Sequence, residues 1–177
     1  MNRVGEFEKV SYEQFYSAMK DEFYKNYREE DMESHFNGVI QMMYDGICLP
    51  ERATSGSAGY DFKAPFTFEL APGHTIKVPT GIRVKIDDGW WLGCLPRSGL
   101  GFKYQVRLAN TMGAVDSDYY YSTNEGQIFL KIVNGGDNII EVKASDGIAQ
   151  GIFIPYGITY SDDVKEKRDG GFGSTGR

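Results

Sequence analysis

The chain has 177 residues and a mass of 19.9 kDa, enough for one domain of ordinary size and too little for a second full one. Its net charge of -6 and pI near 5.0 oppose phosphate backbones, so no nucleic-acid partner is expected. Cys48, Cys94, His35 and His74 stand apart from one another, which excludes a disulfide scaffold and the usual zinc spacings and fits a reducing cytoplasm.

The N-terminus carries acidic and aromatic residues where a signal peptide needs a basic start and an apolar stretch. No apolar run reaches the roughly 18–20 residues of a membrane span, so a soluble, cytoplasmic protein with no membrane partner is expected. Ser11 with Gln14 three residues on predicts a capping box. Tyr12, Phe15, Tyr16, Met19, Phe23 and Tyr27 follow with helical period, a stripe expected to pack against the main domain. Asp31 is placed to cap a second helix bearing Met32, Phe36, Val39, Ile40 and Met43, although Gly38 weakens it. Residues 1–45 are therefore expected to form an N-terminal helical extension.

From Ile47 onward the period changes to two. Thr75–Val78 and Ile82–Ile86 alternate around the break Pro79-Thr80-Gly81, and Gln127–Val133 alternates Ile128, Leu130 and Ile132 against Phe129, Lys131 and Val133. Turn signals recur at Ala71-Pro72-Gly73, Asp87-Asp88-Gly89 and Gly135-Gly136-Asp137-Asn138. With no helical pattern between the strands, a parallel sheet is disfavoured and an antiparallel sandwich, barrel or jelly roll is expected over 46–167. Residues 168–177 hold four glycines and one large apolar side chain, Phe172, which predicts a mobile tail.

Gly171-Phe172-Gly173-Ser174-Thr175-Gly176 matches the dinucleotide fingerprint but lacks the helix that must follow, since one residue remains. The same composition suits a loop that wraps phosphates, and Arg168, Phe172 and Arg177 add the planar cations and aromatic face that engage a nucleoside triphosphate. Asp116-Ser117-Asp118 is no calcium loop, because Tyr120 and Tyr121 stand where an EF-hand needs a ligand and a glycine. Pro96-Arg97-Ser98-Gly99 sets a bidentate cation and a hydroxyl beside a glycine that lets a ligand approach the backbone.

Five segments in order carry more than any one of them. Ala58-Gly59-Tyr60-Asp61, Pro96-Arg97-Ser98-Gly99-Leu100, Asn110 to Tyr119, Gly147-Ile148-Ala149-Gln150 and Arg168 to Gly176 resemble the five motifs of the homotrimeric dUTPase family, a match spanning 47–177. The resemblance implies a mainly β, antiparallel jelly-roll-like barrel that assembles as a homotrimer and hydrolyses dUTP to dUMP and pyrophosphate. It implies Mg²⁺ held mainly through the substrate phosphates, with no dedicated protein metal ligands.

Carried over by position, the resemblance implies Asp116 as the base that activates water and Gln150 as a helper that holds it. The hairpin from Asn110 through Gly113 to Asp116 would read uracil, and Tyr119 would lie under the deoxyribose. Ser98 and Gly99 would meet the phosphates with Arg97 supporting their loop, and Asp61 would be a structural acid. The tail of another subunit would bring Phe172 over the base and Arg168, Ser174 and Thr175 to the β- and γ-phosphates.

The chain departs from the family pattern at three places. Gly147 stands where an arginine is common, the loop from Tyr120 to Gln127 is about five residues longer, and the segment at Arg168 is one residue shorter. Two other functions are weighed. No motif resembles that of dCTP deaminase, and a catalytically idle nucleotide-sensing or partner-binding trimer is disfavoured because every candidate catalytic residue is present.

Overall fold

The computed structural model describes residues 2–28, 30 and 32–166. Ahead of the helices lies a strand that the sequence pattern does not announce, β1 (Gly5–Lys9). It pairs antiparallel with β6 (Ile82–Ile86), Phe7 opposite Val84. Phe7 packs against the rings of Tyr60, Phe62 and Phe153 at centroid distances of 5.3 to 5.7 Å. The helices therefore leave from a strand that is already part of the sheet structure.

The expected first helix forms as α1 (Tyr12–Met19), with the Gln14 N–H donating to Ser11 Oγ at 3.1 Å. The reciprocal half of the capping box is not made by Gln14, whose side chain donates to Gln127 Oε1 at 2.9 Å. Glu125 takes that role from far along the chain. Its carboxylate accepts from Ser11 N at 2.8 Å and from Ser11 Oγ at 2.6 Å. Burial pushes the Glu125 carboxyl up, but the two bonds from Ser11 and the nearby Arg83 charge outweigh it and leave it below its ordinary value.

The aromatic stripe divides at the end of α1. Phe15 and Met19 enter the core, whereas a π-helical turn over Lys20–Tyr24 rotates the next part of the chain and leaves Phe23 and Tyr27 exposed. Phe23 still meets Phe66 edge-on at 5.3 Å. A second π turn (Met32–Phe36) leads into α2 (Asn37–Asp45). Asp31, the expected cap, lies outside the described residues. Met32 and Ile40 are buried and Phe36 and Met43 pack partly against the core, while Val39 turns to solvent. Tyr44 Oη donates to Val10 O at 2.7 Å and fastens α2 to the end of β1.

The period-two segments become β2 (Glu51–Arg52), β3 (Tyr60–Lys63), β4 (Phe68–Leu70), β5 (Thr75–Pro79), β6 and β7 (Trp90–Pro96). After α3 (Ser98–Tyr104) come β8 (Val106–Leu108), β9 (Gly113–Val115), a 3₁₀ turn (Ser117–Tyr121), β10 (Phe129–Asn134), β11 (Ile140–Val142) and β12 (Gly147–Pro155). The largest sheet runs β2-β3-β12-β7-β9, and β5-β10-β8 forms a second. Two pairs, β4 with β11 and β1 with β6, complete the set. Every pairing among the described residues is antiparallel, as the alternation without intervening helices predicts.

Alternate side chains of the strands, such as Leu92 and Cys94 on β7 and Leu130 and Ile132 on β10, point into one core. That core also contains Phe15, Met19, Met32 and Ile40 from the helical segment, so helices and barrel are not separable packing units. At the break between β5 and β6, Gly81 has φ +68°, and a Cβ there would meet Ile47 Cδ1 and the Phe15 ring. Glycine thus serves both the turn and the seat of the helix.

Because Phe15 is fully buried at this junction, Phe15→Ala is expected to destabilise the chain by about 3–5 kcal/mol. Denaturant unfolding checks this, and a loss near zero would mean that the helices pack only loosely on the barrel.

Candidate active site

One row of side chains crosses the largest sheet on the face turned away from the core. Asp61 on β3 lies opposite Gln150 on β12, which in turn lies opposite Leu95 on β7. Residues directly opposite in antiparallel strands share a face, and all three are half-buried. Gln150 Nε2 donates to Pro96 O at 3.3 Å. A Cβ at Gly59 would lie 2.5 Å from Gln150 Oε1, so this glycine leaves the space the amide fills. Two residues beyond Leu95, Arg97 turns back over the row and sets Nη2 3.2 Å from Asp61 Oδ2.

The same geometry resolves the departure at Gly147. A Cβ there would run into Arg97 Nη1, with Cζ at 2.8 Å and Cδ at 2.9 Å. The missing side chain is what lets the Arg97 guanidinium lie across β12 to Asp61. The sequence marks Gly147 as a departure but not its partner, because the two positions are 50 residues apart and meet only through the β12 and β7 pairing. Ser98 and Gly99 come directly after Arg97, exposed at the start of α3, and nothing would crowd a Cβ at Gly99.

A second group lies on the other side of β7. The turn from Asn110 to Gly113 is tight, with Thr111 N donating to Leu108 O at 3.0 Å and Thr111 at φ 65°. Asn110 and Met112 are exposed at its tip, and Gly113 lies opposite Cys94. From there β9 runs to Val115 opposite Leu92, and Asp116 emerges exposed just past that end. It precedes the 3₁₀ turn, and Tyr119 N donates to Asp116 O at 3.2 Å.

Tyr119 is 1% exposed. Its Oη donates to Gln127 O at 2.7 Å and accepts from Asn124 Nδ2 at 2.7 Å, so the ring is a rigid part of the wall behind Asp116. The contribution of Asn124 to this wall is absent from the sequence pattern, in which Tyr120 to Gln127 is simply a longer loop. Arg168, Phe172, Ser174 and Thr175 lie outside the described residues, as does the expected mobile tail.

One chain therefore brings Asp61, Arg97, Ser98, Gly99 and Gln150 together but does not bring Asp116 to them. Asp116 follows the residue opposite Leu92, whereas Gln150 is opposite Leu95 on the other flank of β7. That separation is four residues, about 13 Å along the strand, and two strand spacings, about 10 Å, across it. A carboxylate and an amide that hold the same water must both lie within hydrogen-bond reach of it.

Burial pushes the Cys94 thiol up to about 12, which keeps it protonated and unreactive at neutral pH. Among the described residues, no three metal-ligating side chains gather, and no helix is long and apolar enough to cross a membrane.

A family profile described as dUTPase matches residues 45–176. The chain is 37% identical over 144 residues to the deoxyuridine 5'-triphosphate nucleotidohydrolase of Lactococcus lactis, covering 80% of this chain and 96% of the relative. It is 41% identical over 137 residues to the protein of the same name from Tolumonas auensis, covering 73% and 87%. Among solved structures, the dUTPase of Streptococcus mutans is similar with TM-score 0.58 and 33% identity, over 65% of this chain and 90% of that one. The dUTPase of phage phi11 of S. aureus shares the fold with TM-score 0.59 at 20% identity, over 71% and 94%.

The packing of Arg97 over Gly147 has a direct test. Gly147→Ala is expected to unfold within about 1 kcal/mol of the parent, because the ion pair it disturbs is partly exposed. A crystal structure of the variant should show the guanidinium turned away from Asp61. A guanidinium still bonded to Asp61 would contradict the steric account.

Proposed function

Since this chain belongs to the dUTPase family of hydrolases, we propose that it cleaves dUTP to dUMP and pyrophosphate by in-line attack of water on the α-phosphorus. The observation that carries the mechanistic part is the division of the motif residues into two groups on opposite flanks of β7. In this reading Asp116 accepts the proton of the attacking water. Gln150 holds that water or an α-phosphate oxygen, and Ser98 and Gly99 meet the phosphates. Arg97, steadied by Asp61, fixes the loop that carries them.

The Asn110 to Gly113 hairpin reads uracil through backbone groups. Their donor and acceptor pattern would leave a cytosine amino group unpaired, while the 5-methyl group of dTTP is refused by bulk. Tyr119 forms the floor under the deoxyribose. Its burial and two phenol hydrogen bonds support a floor that cannot yield to a 2′-hydroxyl. Arg168, Ser174 and Thr175 bind the β- and γ-phosphates and Phe172 covers the base, as the family resemblance implies.

The two groups serve one substrate when they come from different copies of the chain, and a homotrimer is the assembly proposed. A closed three-fold ring repeats each contact and builds three equivalent sites. A second feature supports association. Beyond β12 the chain runs with Tyr156, Ile158, Tyr160 and Val164 exposed, Ile158 at 74% and Val164 at 76%, so these side chains bury little surface in their own chain.

Mg²⁺ would be held mainly through the substrate phosphates and water, the oxygen ligands a small hard cation takes, as the family resemblance implies. Such an ion would supply positive charge to the phosphate oxygens as pyrophosphate leaves. The chain's own residues then position the water, hold the base and sugar, and take the proton at Asp116.

Pyrophosphate release from dUTP tests the reading. The purified chain is expected to release one pyrophosphate per dUMP, and Asp116→Asn to lower turnover by roughly 10²-fold or more with dUTP binding largely kept. Turnover of the folded variant near that of the parent would remove Asp116 from its role.

A further inference from the structure

The helical segment and the long loop after Tyr119 meet at the cap of α1, and that loop continues the 3₁₀ turn that begins after Asp116. We propose that Glu125 is a positioning residue, which braces the Asp116 to Tyr119 turn against the N-terminus of α1. The inference rests on the reading of Asp116 and Tyr119 as site residues.

The brace has three linked parts. The first is the post. Phe15 and Met19 fix α1 in the core, so Ser11 is a firm point rather than a mobile end. The second is the tie. Both Glu125 oxygens are used on Ser11, one on its N–H at 2.8 Å and one on its hydroxyl at 2.6 Å, and Gln14 adds a parallel bond to Gln127. The third is the load. Asn124, next to Glu125, donates to Tyr119 Oη, and Gln127, two residues on, accepts from it. Ser122 Oγ bonds to Tyr119 O and to Asn124 Oδ1, each at 2.7 Å, which closes the loop on the turn.

The loop backbone also departs from the common regions. Glu125 has φ 55° and Gly126 φ 70°, so a non-glycine residue occupies the left-handed region in the middle of the loop. Such a conformation persists where its surroundings impose it. The Ser11 contacts are what hold the Glu125 side chain there. A Cβ at Gly126 would lie 2.7 Å from Tyr120 Cα, so glycine here lets the loop pass close to the turn. On the outer side, Tyr120 Oη donates to Glu8 Oε2 at 2.9 Å while Arg83 covers the Tyr120 ring and pairs with Glu8. The turn is thus tied through Tyr120 to β1 and, through Tyr119 and the loop that follows, to the start of α1.

A filler loop would need none of this convergence. The arrangement makes the helical segment part of the machinery that fixes the angle of Asp116 and the position of the sugar floor.

The test compares Glu125→Ala, Glu125→Gln and Ser11→Ala in the full chain, alongside the parent. Each is measured for kcat and KM with dUTP, for the preference for dUTP over UTP, and for amide hydrogen exchange over residues 117–127. Glu125→Ala is expected to lower kcat about tenfold or more, to narrow the preference, and to speed exchange in this segment, in chains with parental secondary structure. Glu125→Gln keeps an acceptor for Ser11 and should recover much of the loss. Ser11→Ala removes the hydroxyl's bonds to Glu125 and to Gln14 N–H but keeps the Ser11 N–H bond to Glu125. It remains informative if Glu125→Ala fails to fold, with exchange of residues 117–122 expected to rise. A lower melting temperature with unchanged kcat, preference and exchange would overturn the proposal and leave Glu125 a helix cap alone. If the parent itself does not cleave dUTP, the functional reading fails instead, and the exchange data still decide whether the brace exists.

Discussion

The pairing of β7 with β12 on one flank and β9 on the other governs where every candidate group lies. It fixes Gln150 against Leu95, and through β3 it fixes Asp61 in the same row. It also makes β9 end opposite Leu92, so that Asp116 emerges toward the far end of the strand. Register in a sheet with one buried face cannot slip by one residue without turning Leu92 and Cys94 outward and Leu95 inward. The distance between the two groups is therefore as well determined as the core. An active site built from both is accordingly proposed to combine different copies of the chain.

The helical segment extends this logic in another direction. It is joined to the barrel by a shared core and by polar contacts that end on Glu125 and Gln127, in the loop that holds Tyr119. Shared burial supplies most of the attachment, since hydrogen bonds that replace bonds to water contribute about 1 kcal/mol each. What the polar contacts add is direction. They select one loop conformation, including the left-handed backbone at Glu125, that apolar packing alone does not specify.

Much of this was legible in the sequence where the pattern is local. The alternation at Thr75–Val78, Ile82–Ile86 and Gln127–Val133 gives strands, Ser11 gives a helix start, and five ordered motifs give the family. The stripe through Phe23 and Tyr27 misleads because a π turn changes the repeat after Met19. Strand β1 escapes because it buries a single side chain deeply, Phe7, between two glutamates. Glu125 escapes for a different reason. Its partner Ser11 is 114 residues away, and a contact of that separation exists only once the chain has folded. Arg97 and Gly147 belong to the same class, since each looks ordinary until the sheet sets them face to face.

The claim that the site is divided between copies is tested most directly by subunit complementation. Unfolded Asp116→Asn chains and unfolded Ser98→Ala chains are mixed, refolded together, and assayed for pyrophosphate release from dUTP beside each variant refolded alone. A site shared between copies predicts activity clearly above both parents, because some sites then combine an intact Asp116 from one chain with an intact Ser98 from another. Assemblies shown to contain both chains yet no more active than either parent would contradict the account, since every site would then lie within a single chain.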